Sequence, residues 1–391
     1  MIRNLLTGLM LVFLFQACTD QSSRHSTLQF IHFWTEPQQQ LLIDSLISEF
    51  EDLNPTIKID QVPVQWSEGK TKLLLAHASG NPPDITHIGI EWTQEFIDNG
   101  IFLPLNVHDS IPSQCLEHVK GKDGRMYCQP WTLNTRALII THDAFLNDDT
   151  VTWEDILASL NEQHLIGMNS TEPHNVTKKY LPILWAYGSR LFQKLPFSST
   201  CDSTLIDGFI LLKKLLANAR IDQSRRLDEF LVNRSITLGI TGQWILSQLK
   251  NTPHRVLPRM PGKNGASILS GDCLGISVST KYPKEAKAFV NFITKYGRVK
   301  QFCSRLQDIG LPAHENAWKD PSFHSNADQS NFTMQCLNSI MLPSPSYYLD
   351  AEEILEDHIM RFIYGNIDEQ AVCSSLKMQL QLLEGKQKKG S

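Results

Sequence analysis

A two-lobed α/β fold is predicted from three observations. Apolar residues alternate along most of the chain between a period of two and a period near 3.6, the pattern of strands interleaved with helices. The 391 residues exceed the roughly 250–300 at which a single hydrophobic core stops growing. Two extended stretches, 136–141 and 267–279, have the character of strands crossing between two bodies. The composition is that of a globular protein, 41% hydrophobic and 20% charged. With 36 Lys and Arg against 41 Asp and Glu, the net charge is -5, so the chain lacks the basic footprint of a nucleic-acid binder. One apolar run alone excludes a polytopic membrane protein.

That run opens the chain. Arg3 precedes an apolar stretch from Leu5 to Phe15, broken by Thr7 and Gly8, and Ala17-Cys18 follow. The stretch is too short to span a bilayer and reads as a signal peptide over 1–17. Ala17 before Cys18 resembles the lipobox of bacterial lipoproteins, which implies acylation of Cys18 and an anchored mature chain; plain secretory cleavage near Ala17 is the alternative. Residues 18–26 are polar and read as a tether.

The first lobe then begins. Leu28 to Trp34 is a strand ending at Thr35-Glu36-Pro37, where proline suits a first helical turn. Leu41, Leu42, Leu46 and Phe50 follow helical spacing up to the breaker Asn54-Pro55. Ile57 to Val64 alternates as a second strand, and Lys70 to Ala78 is a second helix. Asp84 to Gly89 is a third strand, followed by a helix over Trp92 to Asn99. This β-α-β-α-β order specifies a parallel sheet covered by helices, whose ligands bind beyond the carboxyl ends of the strands. Trp34, Glu36, Glu91 and Trp92 fall at such ends.

After a crossing strand over 136–141, Thr152 is the N-cap of a helix, with Asp155 completing a capping box. Leu205 to Ala219 is amphipathic. Ser235 to Gly242 is a strand, with Gln243-Trp244 at the turn after it. Ser267 to Ser279 is the return crossing, and helices follow over Lys284–Tyr296 and Ala351–Tyr364. Residues 386–391 form a basic tail.

Seven cysteines remain beyond Cys18: Cys115, Cys128, Cys201, Cys273, Cys303, Cys336 and Cys373. None stands at zinc-site spacing, and no metal or other cofactor is expected. Cys115 and Cys128 bracket Gly121-Lys122-Asp123-Gly124 and are the candidate pair for a disulfide across that turn. For the others, burial as small hydrophobes is the competing reading.

Several segments, taken in order, resemble one family. They include Asn54-Pro55-Thr56-Ile57, Ala78 to Ile85, Asn99 to Leu105, Gly124 to Pro130, Asn134 to Leu138, His142 to Phe145, Thr152 to Ile156, Ile240 to Trp244, Ala286 to Phe292, and Leu311 to Ala313. The chain is similar to the extracellular solute-binding proteins of bacterial ABC transporters, in the sugar-binding group related to the maltose-binding protein. The resemblance implies a type II periplasmic-binding-protein fold with a multi-strand hinge. Lobe 1 would comprise 27–137 and 276–316, and lobe 2 138–275 and 317–385. It also implies a monomer that closes on a carbohydrate, an oligosaccharide by expectation, and delivers it to permease transmembrane subunits.

A pyranose offers C–H faces to aromatic rings and hydroxyls to planar polar groups. Trp34, Trp92, Trp131, Trp185 and Trp244 are therefore placed at the cleft, with Trp244 in a turn matching the family's Gly-x-Trp element. Trp153 and Trp318 read as packing, and Trp66 is left without an assignment. From the resemblance, Glu36, Asp84, Glu91, Asn134 and Tyr347 are further ligand-binding candidates. Asp272, beside Gly271 in the return crossing, either binds hydroxyls or braces the hinge. Gln243 and Cys273 stand where small or apolar residues are expected. The chain lacks Gly-x-Ser-x-Gly, His-Glu-x-x-His, P-loop and dinucleotide motifs, so binding rather than catalysis is expected. His87 and His174 read as packing or surface residues. A secreted carbohydrate-active enzyme and a ligand-binding partner of a membrane sensor kinase are the competing functions.

Overall fold

The computed structural model describes residues 25–390, apart from 109, 148, 149, 307 and 308. The signal peptide, Cys18 and most of the tether lie outside the described residues. The strands are β1 (Ser26–His32), β2 (Ile57–Pro63), β3 (Ile85–Gly89), β4 (Cys128–Ile140), β5 (Ile166–Asn169), β6 (Ala219–Asp222), β7 (Leu238–Gly242), β8 (Arg255–Val256), β9 (Leu269–Ile276) and β10 (Leu311–Pro312). Around them lie α1 (Pro37–Leu53), α2 (Trp66–Ala78), α3 (Thr93–Asp98), α4 (Ser113–Val119), α5 (Trp153–Ser159), α6 (Asn175–Leu184) and α7 (Ser203–Leu216). Then follow α8 (Ser224–Val232), α9 (Pro283–Ile293), α10 (Tyr296–Arg305), α11 (Ala327–Asn338), α12 (Tyr348–Ile363) and α13 (Glu369–Gly390).

The sheet runs β2-β1-β3-β9-β4-β7-β5-β6. β1 is parallel to β2 and β3, and β5 is parallel to β6 and β7. Two parallel triplets are thus joined through β9 and β4, which pair antiparallel with each other and with β3 and β7. β4 is the strand that connects them, because its first half pairs with β9 and its last residues, Arg136–Ile140, pair with β7. The α/β fold expected of the sequence is the fold observed.

Three hydrophobic clusters follow this division. The first gathers Phe30, Phe50, Phe96 and Leu133 with Leu274, Phe289 and Phe302. The second gathers Leu138, Trp153, Trp185 and Phe209 with Leu355 and Leu376. A smaller one joins Ala137 and Ile139 to Leu231, Ile245 and Phe332. Chain segments pass from the first cluster to the others between Leu133 and Ala137, between Ile268 and Leu269, and again near Met341 and Leu342.

Local chemistry explains most boundaries. Pro37 sits in the first turn of α1, and Asn54 ends it, its side-chain amide donating to the Phe50 carbonyl at 2.9 Å. The buried face of α1 is Ile43, Leu46, Ile47 and Phe50, whereas Leu41 points to solvent at 68% exposure. The Thr152–Asp155 capping box forms as expected. α2 begins at Trp66, four residues before the expected start. β4 begins at Cys128 rather than near 136, because Pro130 and the polar Gln129, Thr132 and Asn134 disguise it; the proline is accommodated at a register shift between Pro130 and Thr132. Residues 386–390, within the expected basic tail, lie in the last turns of α13, which runs to Gly390.

The disulfide expected of Cys115 and Cys128 is not formed. Both are free, fully buried thiols in the first core, as Cys273 is, so they behave as small hydrophobes. Burial pushes the Cys115 thiol up to about 12, which leaves almost no reactive thiolate near neutral pH. The folded protein is therefore expected to resist iodoacetamide at Cys115 and Cys128 at pH 8. Mass spectrometry should find both residues alkylated only after denaturation without reductant. A linked Cys115–Cys128 peptide would contradict this. Among the described residues no helix is long and apolar enough to cross a membrane.

Candidate functional site

Parallel strands within a triplet point the same way, so their carboxyl ends gather on one edge. In the first triplet these ends lead to Trp34 after β1, Trp66 after β2, and Glu91 and Trp92 after β3. In the second they lead to Glu172 and His174 after β5, Ser224 after β6 and Trp244 after β7. The two edges meet. Glu91 Oε1 lies 2.5 Å from Lys178 Nζ, and the Trp92 and His174 rings are 6.0 Å apart.

The first edge is aromatic. Phe33 packs against Trp66 in a tilted pair at 4.2 Å and meets Trp92 edge-on at 6.2 Å, and Trp66 lies 5.0 Å from Trp92. Trp66 remains 46% exposed, and Trp34 is half-buried beside His87 at 5.4 Å. The indole nitrogens of Trp34 and Trp92 are buried without a hydrogen-bond partner. Gly69, one turn into α2, permits this arrangement, since a Cβ there would fall 2.0 Å from the Phe33 ring.

The second edge is polar around one indole. Trp244 donates its ring N–H to Asp228 at 2.9 Å, and the Arg136 guanidinium stands 4.8 Å from its ring centroid. A Cβ at Gly242 would lie 1.9 Å from the same ring, which is why glycine precedes this tryptophan by two. Arg136 is 7% exposed and reaches Asn134 at 3.2 Å, while its Nε has no partner. Burial lowers its pKa to about 10 against the opposing pull of Glu91, Asp228, Asp272 and Glu172, so it stays charged near neutrality. Burial likewise brings the neighbouring Lys179 down to about 8. Glu172 is held by Ser224 and by the Asn169 and Asn175 amides.

His174, in the left-handed region at φ 65°, donates its Nδ1–H to Glu352 at 2.6 Å, and Tyr348 donates to the same carboxylate at 3.1 Å. Burial lowers the His174 pKa, but Glu352 outweighs it and the net shift is upward. Glu356 accepts from the Thr177 backbone and hydroxyl; burial and the adjacent Glu352 raise its carboxyl to about 7.

The structure thus brings together Trp34, Glu91, Trp92, Asn134 and Trp244 from the sequence-based candidates. It places others elsewhere. Trp131 is 1% exposed and stacks on Phe302 at 5.4 Å in the first core, and Trp185 is 1% exposed with its N–H on the Leu191 carbonyl. Both are packing residues here, because their rings point to the core side of their segments. Asp84 ties the Gln29 amide and the Thr280 hydroxyl, joining β1 to the segment after β9. Glu36 is an exposed N-cap residue in a capping box with Gln39. Tyr347 packs on Phe197, and its neighbour Tyr348 reaches the polar cluster.

Asp272 lies in β9 opposite Thr132, whose hydroxyl it accepts, and 3.1 Å from His87 Nε2, off the hydrogen-bond direction. It is 3% exposed and braces the junction of the triplets. Gln243 and Cys273 are both buried, the latter packed in the first core.

Sequence reasoning missed Trp66, Arg136, Glu172, His174 and Lys178. Arg136 carries a usable signal, a charge opening the apolar run Ala137–Ile140. Trp66 directly follows a strand, as Trp34 and Trp92 do. Two cavities, of about 260 and 670 Å³, are lined by His108, Ile111, Trp131 and Tyr296 and by Leu105, His108 and Arg125; Trp131 in the first lies 6.0 Å from Trp34.

Comparison with known proteins agrees with this architecture. The chain is 21% identical over 356 residues to an uncharacterized lipoprotein encoded in the oleD 5′ region of Streptomyces antibioticus, covering 82% of this chain and 77% of that protein. The GacH receptor of Streptomyces glaucescens, solved unliganded and with acarbose, superposes with a TM-score of 0.78 at 16% identity, over 92% of this chain and 98% of that one. The sugar-binding protein MalE of Xanthomonas citri superposes with a TM-score of 0.75 at 19% identity, over 93% and 98%. The family model of the bacterial extracellular solute-binding proteins matches residues 45–329, a span that contains both crossing strands with Trp66, Glu91, Trp92 and Trp244, and the chain belongs to that family.

Proposed function

We propose that this solute-binding protein captures a carbohydrate, an oligosaccharide in particular, between two lobes and hands it to the permease subunits of an ABC importer. The lobes are 27–137 with 276–316 and 138–275 with 317–385, hinged at β4 and β9, and the mature chain is a monomer anchored through acylated Cys18. The observation that carries the carbohydrate reading is the pairing of an aromatic edge with a polar one. Trp34, Trp66 and Trp92 offer ring faces and edges for C–H packing. Asn134, Arg136, Glu172 and His174 face them with planar polar groups, and the unpaired donors Trp34 Nε1, Trp92 Nε1 and Arg136 Nε match hydroxyl oxygens.

Trp244 is the principal stacking platform in this reading. A pyranose ring takes the indole face over which Arg136 now stands, and the displaced guanidinium turns its fork to ligand hydroxyls. Glu36 and Tyr347 lie at the rim and add contacts for longer ligands. Nothing is chemically transformed; affinity comes from stacking and from hydrogen bonds desolvated on closure. The test is a thermal-shift screen of the exported, mature protein against mono- and oligosaccharides, beginning with acarbose and maltotetraose, which two of its structural neighbours bind. A saturable rise in melting temperature with an oligosaccharide is expected, growing with ligand concentration by mass action.

A further inference from the structure

The contact between the two edges has a specific construction. Glu91 follows β3 and belongs with the first core, whereas Lys178 lies in α6, whose Val176, Tyr180 and Leu181 are buried in the second. Both side chains are only 14% exposed, and their charged atoms are 2.5 Å apart. Burial alone would raise the Glu91 carboxyl, yet the Lys178 ammonium holds it below the usual range.

At the N-cap of the same helix, four residues before Lys178, His174 meets Trp92, and Glu352 fixes the His174 ring from behind. A third contact joins the first-lobe helix α4 to the segment before α12: the buried His118 ring is 2.6 Å from the Ser344 hydroxyl. The Glu91–Lys178, His174–Trp92 and His118–Ser344 contacts each run between lobes related by the hinge strands. None can persist if the lobes rotate apart.

We infer that the Glu91–Lys178 ion pair is a latch across the cleft that sets the balance between open and closed forms of the receptor. It rests on the two-lobe reading above but not on which solute is bound. A partly buried ion pair loses its partner on opening and leaves each charge to be rehydrated, so it acts on the closure equilibrium directly. Lys178 thereby acts as a positioning residue: it holds Glu91 and the α6 face against the first lobe. The ligand's apparent affinity then contains the closing equilibrium that the latch determines.

The experiment is small-angle X-ray scattering of the purified mature chain without ligand, at low salt. The variants are Glu91→Gln, Lys178→Met, the double variant and Lys178→Arg, each checked for native circular dichroism. Each neutralising single variant is expected to lower the closed-to-open ratio about tenfold and so raise the radius of gyration. The double variant should expand no further than the singles, because the two residues act through one contact. Lys178→Arg should keep the wild-type radius. Single variants that fold and scatter like the wild type would overturn the proposal, and so would single effects that add in the double variant. Because no sugar is present, failure here leaves the carbohydrate reading standing, while a protein that binds no sugar can still show the latch.

Discussion

Trp244→Ala is expected to weaken oligosaccharide binding about 100-fold while the protein still folds. A buried aromatic anchor at the centre of a binding surface commonly contributes roughly 2–4 kcal/mol, against about 2.7 for a hundredfold change. The ring is well fixed for such a role. Asp228 holds its N–H, Gly242 leaves room beneath it and Arg136 stands at its face. Trp244 is only half-buried beside the third core, so its removal takes less from stability than loss of Trp153 or Trp185 would. Trp244→Phe keeps a ring but gives up the bond to Asp228, a buried carboxylate whose pKa burial already raises. Its affinity should fall between those of wild type and alanine. Wild-type affinity in the alanine variant would remove Trp244 from the site.

Asp272→Ala is expected to have its largest effect on stability rather than on binding. Asp272 is buried where β9 crosses β4, accepts the Thr132 hydroxyl and faces His87. Alanine strands these polar groups in a site from which water is excluded, at about 2–4 kcal/mol. Asp272→Asn keeps an acceptor for Thr132 and should lose less than half as much. Denaturant unfolding monitored by far-ultraviolet circular dichroism would measure both losses. The dissociation constant of the folded fraction should change less than threefold. A variant of wild-type stability that no longer binds sugar would instead place Asp272 among the ligand contacts.

Much of the architecture was legible because its strands announce themselves. β1, β2 and β3 alternate or run apolar and are followed at once by Pro37, by the break before α2, and by the Glu91-Trp92 turn. The second lobe was less legible for physical reasons. β5 is four residues long, α6 carries Pro182 with Lys178 and Lys179, and both escape a periodicity reading. Residues at strand ends could be identified, but spacing says which residues lie near an edge and not which way a ring points. Trp34, Trp92 and Trp244 therefore fall at the site, while Trp131 and Trp185 turn into the cores. Side chains that meet across the proposed cleft, such as Glu91 with Lys178, or within the second lobe, such as His174 with Glu352, are 87 and 178 residues apart in sequence. Only the folded chain brings them together.

Hinge-linked lobes give the receptor two linked properties. In the proposed division the aromatic edge belongs to the first lobe and Trp244 to the second, with Arg136 on the connecting strand β4 between them, so either lobe alone offers half a site. In the proposed function closure would complete it and strengthen every polar contact by excluding water. That coupling is why the account assigns affinity to the cleft as a whole.

The most direct measurement is a calorimetric titration of the mature wild-type protein with the oligosaccharide that the thermal-shift screen selects, repeated at several temperatures. Saturable binding of one ligand per chain with a negative heat-capacity change is expected, as aromatic and C–H surfaces leave water. No saturable heat with any carbohydrate of the panel, from a protein shown to be folded, would contradict it.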